Sequence, residues 1–189
     1  GRRVLLVDAD VQSSSSGWLS EVAPEIPIAR LQTADDILDQ LPKLSASVDD
    51  VVIDGPGGLS EVSRSILFVV DYALLPCGPS VLDLRAASDA IRVLRQAQAI
   101  RKGPPEAVFV PNKLQVRHRL SREFLDTART LEIRASSGLR LLKAYADAAG
   151  QGTVAWRMPR EQEAGREIKS LFTELFAYET IHEPSVAEI

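Results

Sequence analysis

Residues 4–12, VLLVDADVQ, and residues 51–58, VVIDGPGG, decide the fold. Each is a short run of β-branched and aliphatic residues that ends in an acid. A run with no polar alternation suits a strand buried on both faces, and such strands belong to parallel sheets. A parallel strand delivers the residue at its end to the rim of the sheet. Asp8, Asp10 and Asp54 are therefore expected beside one crevice, where a metal–phosphate group fits.

Working outward, apolar runs predict further strands at 72–75 and 107–110, and a weak one at 133. The strand at 72–75 is expected to end at Pro76. Helical spacing marks a short helix at 17–22, before the breaks at Pro24 and Pro27. Thr33, with Asp36 three residues on, resembles a capped start. Ile37, Leu38 and Leu41 then recur at helical spacing, and Pro42 is expected to end that helix. Further helices are expected at 60–70, 82–100, 121–131 (capped by Ser121), 139–148 and 160–176. Strands alternating with helices argue for an α/β fold in three layers, a mostly parallel sheet with helices on both faces. Ligands in such sheets bind outside the carboxyl ends of the strands. Asp8, Asp10, Asp54, Pro76 and Asn112 all fall there.

With 189 residues the chain has room for one sizeable core, expected over 1–177, with a polar tail at 178–189. A formal net charge of −4 gives no global attraction to nucleic acid. Cys77 is the only cysteine, so no intrachain disulfide forms, and a reducing, cytoplasmic setting is the simpler reading. No apolar stretch reaches the roughly 18 residues of a membrane span.

VVIDGPGG has the shape of a Walker B segment: an apolar strand, an acid, a tight turn. Such an acid orients Mg²⁺ and its waters beside the phosphates. A helix-capping or loop-turn acid is the competing reading of Asp54. Residues two apart on an extended segment face one side, so Asp8 and Asp10 are expected to point together into one metal–phosphate site. The competing reading has Asp10 capping the next segment and Asp8 facing solvent.

VLLVDADVQ, VVIDGPGG, LLPCGPSVLDLRAA and VFVPNKL, in that order, resemble the motifs of the ParA/MinD-type deviant Walker A ATPases, a P-loop NTPase-like family. The small ParF-like and VirC-like partition proteins are most similar, and the resemblance runs from residue 3 to about 176. It implies an ATP- and Mg²⁺-dependent homodimer that binds DNA non-specifically, is stimulated by a ParB-type partner and segregates plasmids or chromosomes. It implies that Asp10 positions the hydrolytic water, that Asp8 lies near the magnesium, and that Asp54 is the Walker B acid. Gly55 to Gly58, Gly57 among them, match the second switch. Pro76 and Pro79 lie in a segment like the nucleotide-proximal loop, and Asn112 resembles the residue that reads the adenine edge. Gln12 matches the glutamine of the family's D-P-Q run, where Val11 replaces the proline.

The family's phosphate loop precedes this first strand, and only Gly1, Arg2 and Arg3 precede Val4 here. The chain is therefore expected to be a fragment or a degenerate member that lacks the first strand and helix of its sheet. Poor nucleotide binding and an uncovered sheet edge follow.

Between Lys113 and Lys143 cations outnumber acids, with the densest knot at Arg117, Arg119 and Arg122 and another cation at Arg140. Salt-sensitive DNA binding needs only such a patch; a solvated helix face is the competing reading, and the resemblance favours DNA. The tail, AYETIHEPSVAEI, is acidic and interrupted by Pro184, unlike a basic membrane-binding helix, so no membrane attachment is expected. Trp18 and Trp156 read as packing residues. Against the partition ATPase stands a non-catalytic interaction module or a VirC-like accessory of DNA transfer, and more weakly a metabolic ligase of the same superfamily.

Overall fold

The computed structural model describes residues 1–115, 119–158 and 162–176. Strand β1 (Val4–Asp8) lies between β2 (Ile28–Arg30) and β3 (Asp50–Asp54) in a parallel three-stranded sheet, and β4 (Tyr72–Cys77) pairs in parallel with β5 (Glu106–Pro111). Seven α-helices surround the described strands: α1 (Ser14–Val22), α2 (Ala34–Ser45), α3 (Glu61–Val69), α4 (Val81–Arg101), α5 (Arg119–Ala128), α6 (Lys143–Gly150) and α7 (Gln162–Phe176). The expected tail, 178–189, lies outside the described residues.

Side-chain alternation sorts the helices into two layers. Leu5, Val7, Ala9, Val51 and Ile53 pack against Ile37 and Leu41 of α2 and Val62 and Ile66 of α3. On the same side, Ala73 and Leu75 of β4 meet Leu67 of α3 and Val93 and Leu94 of α4, and Phe109 meets Phe124 and Ala128 of α5. The opposite face carries α1, which covers Asp8, and α7, whose Leu171 and Leu175 pack on Val108 and Val110. The chain thus has the three-layer α/β architecture that its uninterrupted apolar strands imply.

Among the described residues the sheet comes in two parts, with one open edge on β3 and another on β4. Helix α3 packs on both parts from one side. From the other side Val52 and Leu74 are 55% and 46% exposed.

Local expectations fail where tertiary packing overrides punctuation. Thr33 does cap α2, accepting from the Asp36 amide at 3.1 Å. Pro42, however, lies inside that helix instead of ending it; it is exposed, and Leu41 and Leu44 on the buried face hold the turn around it. Pro76 lies within β4, which has an unpaired edge, and a proline is tolerated in an edge strand. Strand β2 was not expected, because three residues are too few for a periodicity signal and Pro27 reads as a break. Ser121 lies inside α5 and accepts from the Gln115 amide at 3.0 Å. At 133 there is no strand, only a bridge between Phe109 and Ala135. Residues 139–142 are extended, held by the bridge from Leu114 to Arg140, and α6 begins only at Lys143.

Candidate functional site

The rim is built by the register of β1 and β3. Asp8 and Asp54 are direct partners across the ladder, and the Ala9 amide donates to the Asp54 carbonyl at 2.8 Å. Asp10 follows at once, so Asp10 and Asp54 share the carboxyl end of one strand pair.

Asp8 is fully buried. Its Oδ2 accepts from both the amide and the hydroxyl of Ser16, the amide at 3.0 Å, and its Oδ1 accepts from the Asp10 amide at 3.2 Å. Burial pushes its pKa up, but these bonds outweigh it and hold the carboxyl below its ordinary value. The Ser15 hydroxyl adds to that lowering, yet it is buried without a hydrogen bond of ordinary geometry. The expectation that Asp8 and Asp10 point together at one ion is not met, and neither is the competing one that Asp8 faces solvent. Asp8 fastens α1 to the end of β1, and Ser16 is the partner that sequence reasoning missed. The serine run at 13–16 carried that signal.

Asp10 is half-buried. Its Oδ1 accepts from the Gln12 amide at 3.0 Å, and its carbonyl accepts from the Ser13 amide at 3.0 Å and from Gln32 Nε2 at 3.1 Å. This is an Asx turn, so the capping reading of Asp10 describes its Oδ1; Oδ2 accepts no hydrogen bond among the described residues. Gln32, a second residue missed from sequence, also reaches the Ser13 hydroxyl at 3.2 Å. The Gln12 side chain is exposed.

Asp54 is exposed at the end of β3. The loop after it turns back at Gly58, whose φ of +82° favours glycine, and Ser63 Oγ donates to the Gly58 carbonyl at 2.8 Å. Gly57 is exposed, and a Cβ there would meet nothing within 4 Å.

At the ends of the second strand pair lie exposed Pro76, half-buried Pro79 and half-buried Asn112. The Asn112 amide donates to the Cys77 carbonyl at 2.8 Å, joining the two strand ends, while its Oδ1 accepts from the Lys113 amide at 2.8 Å. Burial, with Asp83 nearby, pushes the Cys77 thiol up to about 11.

Among the described residues no group of three His, Cys, Asp or Glu side chains can hold a metal ion. The expected convergence of three carboxylates on one ion is therefore corrected. A magnesium that keeps most of its waters needs only one or two carboxylates and phosphate oxygens, a smaller demand than a three-carboxylate cluster.

The basic stretch is less open than its composition suggests. Arg117 lies outside the described residues, and Arg119 is placed only as the start of α5. Arg122 is exposed on α5. Arg140 is not an open cation: its guanidinium is clasped by Glu167 and by Glu163, the latter at 2.6 Å, which raises its pKa further. Its expected role as a phosphate contact gives way to tying the strand-like segment at 139–142 onto α7. Arg129 pairs with Asp126 at 3.1 Å and Lys143 with Asp147 at 3.0 Å.

No protein-family model matches the chain. The chain is 27% identical over 182 residues to the "Maintenance of carboxysome distribution protein A" of Halothiobacillus neapolitanus, covering 92% of this chain and 82% of that one. Its fold is that of Cyanothece McdA in an ATP complex, with TM-score 0.74 and 12% identity over all of this chain and 88% of that one. It is also that of the Pyrococcus horikoshii septum site-determining protein MinD complexed with Mg-ADP, with TM-score 0.70 and 17% identity over 96% and 86%. Both structural relatives hold adenine nucleotides. Among the described residues no helix is long and apolar enough to cross a membrane.

Proposed function

We propose that the chain is the ATP-hydrolysing scaffold of a ParA/MinD-type positioning system, which distributes a bulky cargo by cycling between nucleotide states. The observation that carries this reading is the paired rim of Asp10 and Asp54. Asp54 is exposed at the end of β3, and Asp10, two residues beyond Asp54's ladder partner Asp8, keeps its Oδ2 without a hydrogen bond among the described residues. The likeness to a carboxysome distribution protein over nearly the whole chain supports it and points to a protein-bounded cargo before a plasmid or chromosome.

In this reading Asp54 and Asp10 would hold a magnesium ion, whose charge would offset that developing on the transferred phosphoryl group. Asp54 would orient the ion's water shell. Asp10 Oδ2 would align the attacking water, held in place by the turn whose carbonyl Gln32 anchors. Asp8 would act as a positioning residue, since its oxygens are already taken. Gln12, Gly57, Pro76, Pro79 and Asn112 would line the nucleotide, with the base toward the β5 end. An ATP-bound homodimer would contact DNA non-specifically through Arg122 and its neighbours on α5, and a ParB-like or cargo-bound partner would stimulate hydrolysis.

Imaging tests the assignment. A fluorescent fusion should coat the nucleoid and space its cargo evenly, and loss of the gene should collapse that cargo into one focus while plasmid inheritance stays normal. Plasmid loss with undisturbed cargo would transfer the protein to DNA partition. A protein with no effect on either, and no ATP turnover, would be the non-catalytic interaction module.

A further inference from the structure

We infer that the hollow between α4 and the turn that follows α5 docks an acidic, amphipathic segment of a protein partner. A 3₁₀ turn at Arg129–Leu131 closes α5, and an open hollow of about 330 Å³ separates it from the middle of α4. Its floor is apolar, with Ile91 buried and Leu131 half-buried. Arg92 and Arg95, a turn apart on α4, form one wall, and Thr130 and Glu132 form the other. The two guanidinium groups are exposed but held in place. Arg92 pairs with Asp89 on its own helix. Arg95 Nη2 donates to the Leu131 carbonyl at 3.2 Å and lies 3.5 Å from Glu132. Each guanidinium thus commits one nitrogen, and Nε and Nη1 of both have no partner among the described residues. Glu132 has a φ of +52°, a left-handed conformation that favours glycine or asparagine. A carboxylate stands there against the local backbone preference, and it fixes Arg95.

That chemistry selects the occupant. Both cations line the hollow, but of their two acids only Glu132 does, so its interior favours carboxylates. The hydroxyls add no donors, because Ser88 Oγ donates to the Leu84 carbonyl at 2.9 Å and Thr130 Oγ1 to the Thr127 carbonyl at 2.7 Å. Recognition of charge therefore falls to the two guanidinium groups. Counted with Asp89, the four charges cancel at a distance, which leaves little pull on a polyanion such as DNA. The floor takes an apolar side chain, which a phosphate ion or a nucleic-acid backbone lacks. An acidic peptide with one apolar anchor meets all three demands, and guanidinium groups already fixed lower the ordering cost of binding it. Binding here needs no nucleotide, so the failure of this inference and that of the ATPase reading are separable.

The probe is a fluorescein-labelled peptide in which a leucine is flanked by glutamates, titrated with the whole chain and read by anisotropy. It should bind saturably. Replacing its glutamates by glutamine, or its leucine by alanine, should weaken binding at least about tenfold. Arg92→Gln combined with Arg95→Gln should do the same. So should Ser88→Phe, which fills the hollow and keeps both charges. Arg129→Gln removes an exposed cation that does not line the hollow, and should change nothing. Thermal melts of the same variants check that each is folded. No saturable binding, equal binding of the glutamine peptide, or an equal loss from Arg129→Gln would overturn the proposal. Duplex DNA binding whose salt slope falls by about 2 in the double variant, with peptide affinity kept, would overturn it as well and assign both arginines to a nucleic-acid surface.

Discussion

Asp8 and Asp54 are direct partners across the β1–β3 ladder, yet one is fully buried and the other exposed. They share a face of the sheet, and the difference is α1, which covers the first and stops short of the second. The same strand end thus makes one acid structural and offers the next to solvent.

Asp8→Ala leaves the amides of Ser16 and Asp10 without their acceptor. It should cost about 2–4 kcal/mol by urea unfolding, with Ser16→Ala costing less because the amide bond survives. The folded-state pKa of Asp8 is depressed, so its contribution is complete above the unfolded value near ~3.9 and is lost as pH falls through the folded value. Wild type should therefore lose stability in that acid window more steeply than Asp8→Ala. Parallel acid curves would show that the carboxylate is not the stabilising species.

Gly138 has a φ of +78°, and a Cβ there would strike the carbonyl oxygen of Pro111 and come within 2.8 Å of Pro111 Cβ. Gly138→Ala should destabilise the protein by about 2 kcal/mol or more. Calorimetry with Gly150→Ala as control, where a Cβ meets nothing, separates local strain from a general effect of adding a methyl.

Arg140 bridges Glu163 and Glu167, and Tyr145 donates to Glu167 at 3.0 Å. Arg140→Ala should lower Tm, because it leaves Glu163 and Glu167 side by side without their cation, and leave DNA affinity unchanged. Arg122→Ala should do the reverse, with unfolding within about 0.5 kcal/mol of wild type and a DNA salt slope smaller by about 1. Filter binding across a salt series checks both, and equal loss of affinity would return Arg140 to the DNA surface.

Cys77 is buried, and its thiol is pushed up to about 11. At pH 8 a thiol reagent should label it at least about a hundredfold more slowly than a free cysteine, with the full rate restored in urea. Fast labelling of the native protein would mean that the β4 end opens.

The layers were legible from the two apolar runs because strands of a parallel sheet leave no polar alternation, and the rim position of Asp54 followed directly. What Asp8 does was not legible, since its fate depends on Ser16 arriving from a helix that the serine run only hinted at. Nor was the state of Arg140, whose partners Glu163 and Glu167 lie more than twenty residues on. Pro42 and Pro76 misled for one reason: a proline is decisive in an isolated segment and tolerable where packing fixes that segment from outside.

The most direct measurement is Mg²⁺-dependent ATP turnover by the natural polypeptide against its Asp10→Ala variant, with nucleotide affinity measured in parallel. If Asp10 aligns the attacking water, turnover should fall at least about a hundredfold while affinity is kept. Turnover unchanged by Asp10→Ala would contradict the assignment of the β1–β3 rim as the hydrolytic centre.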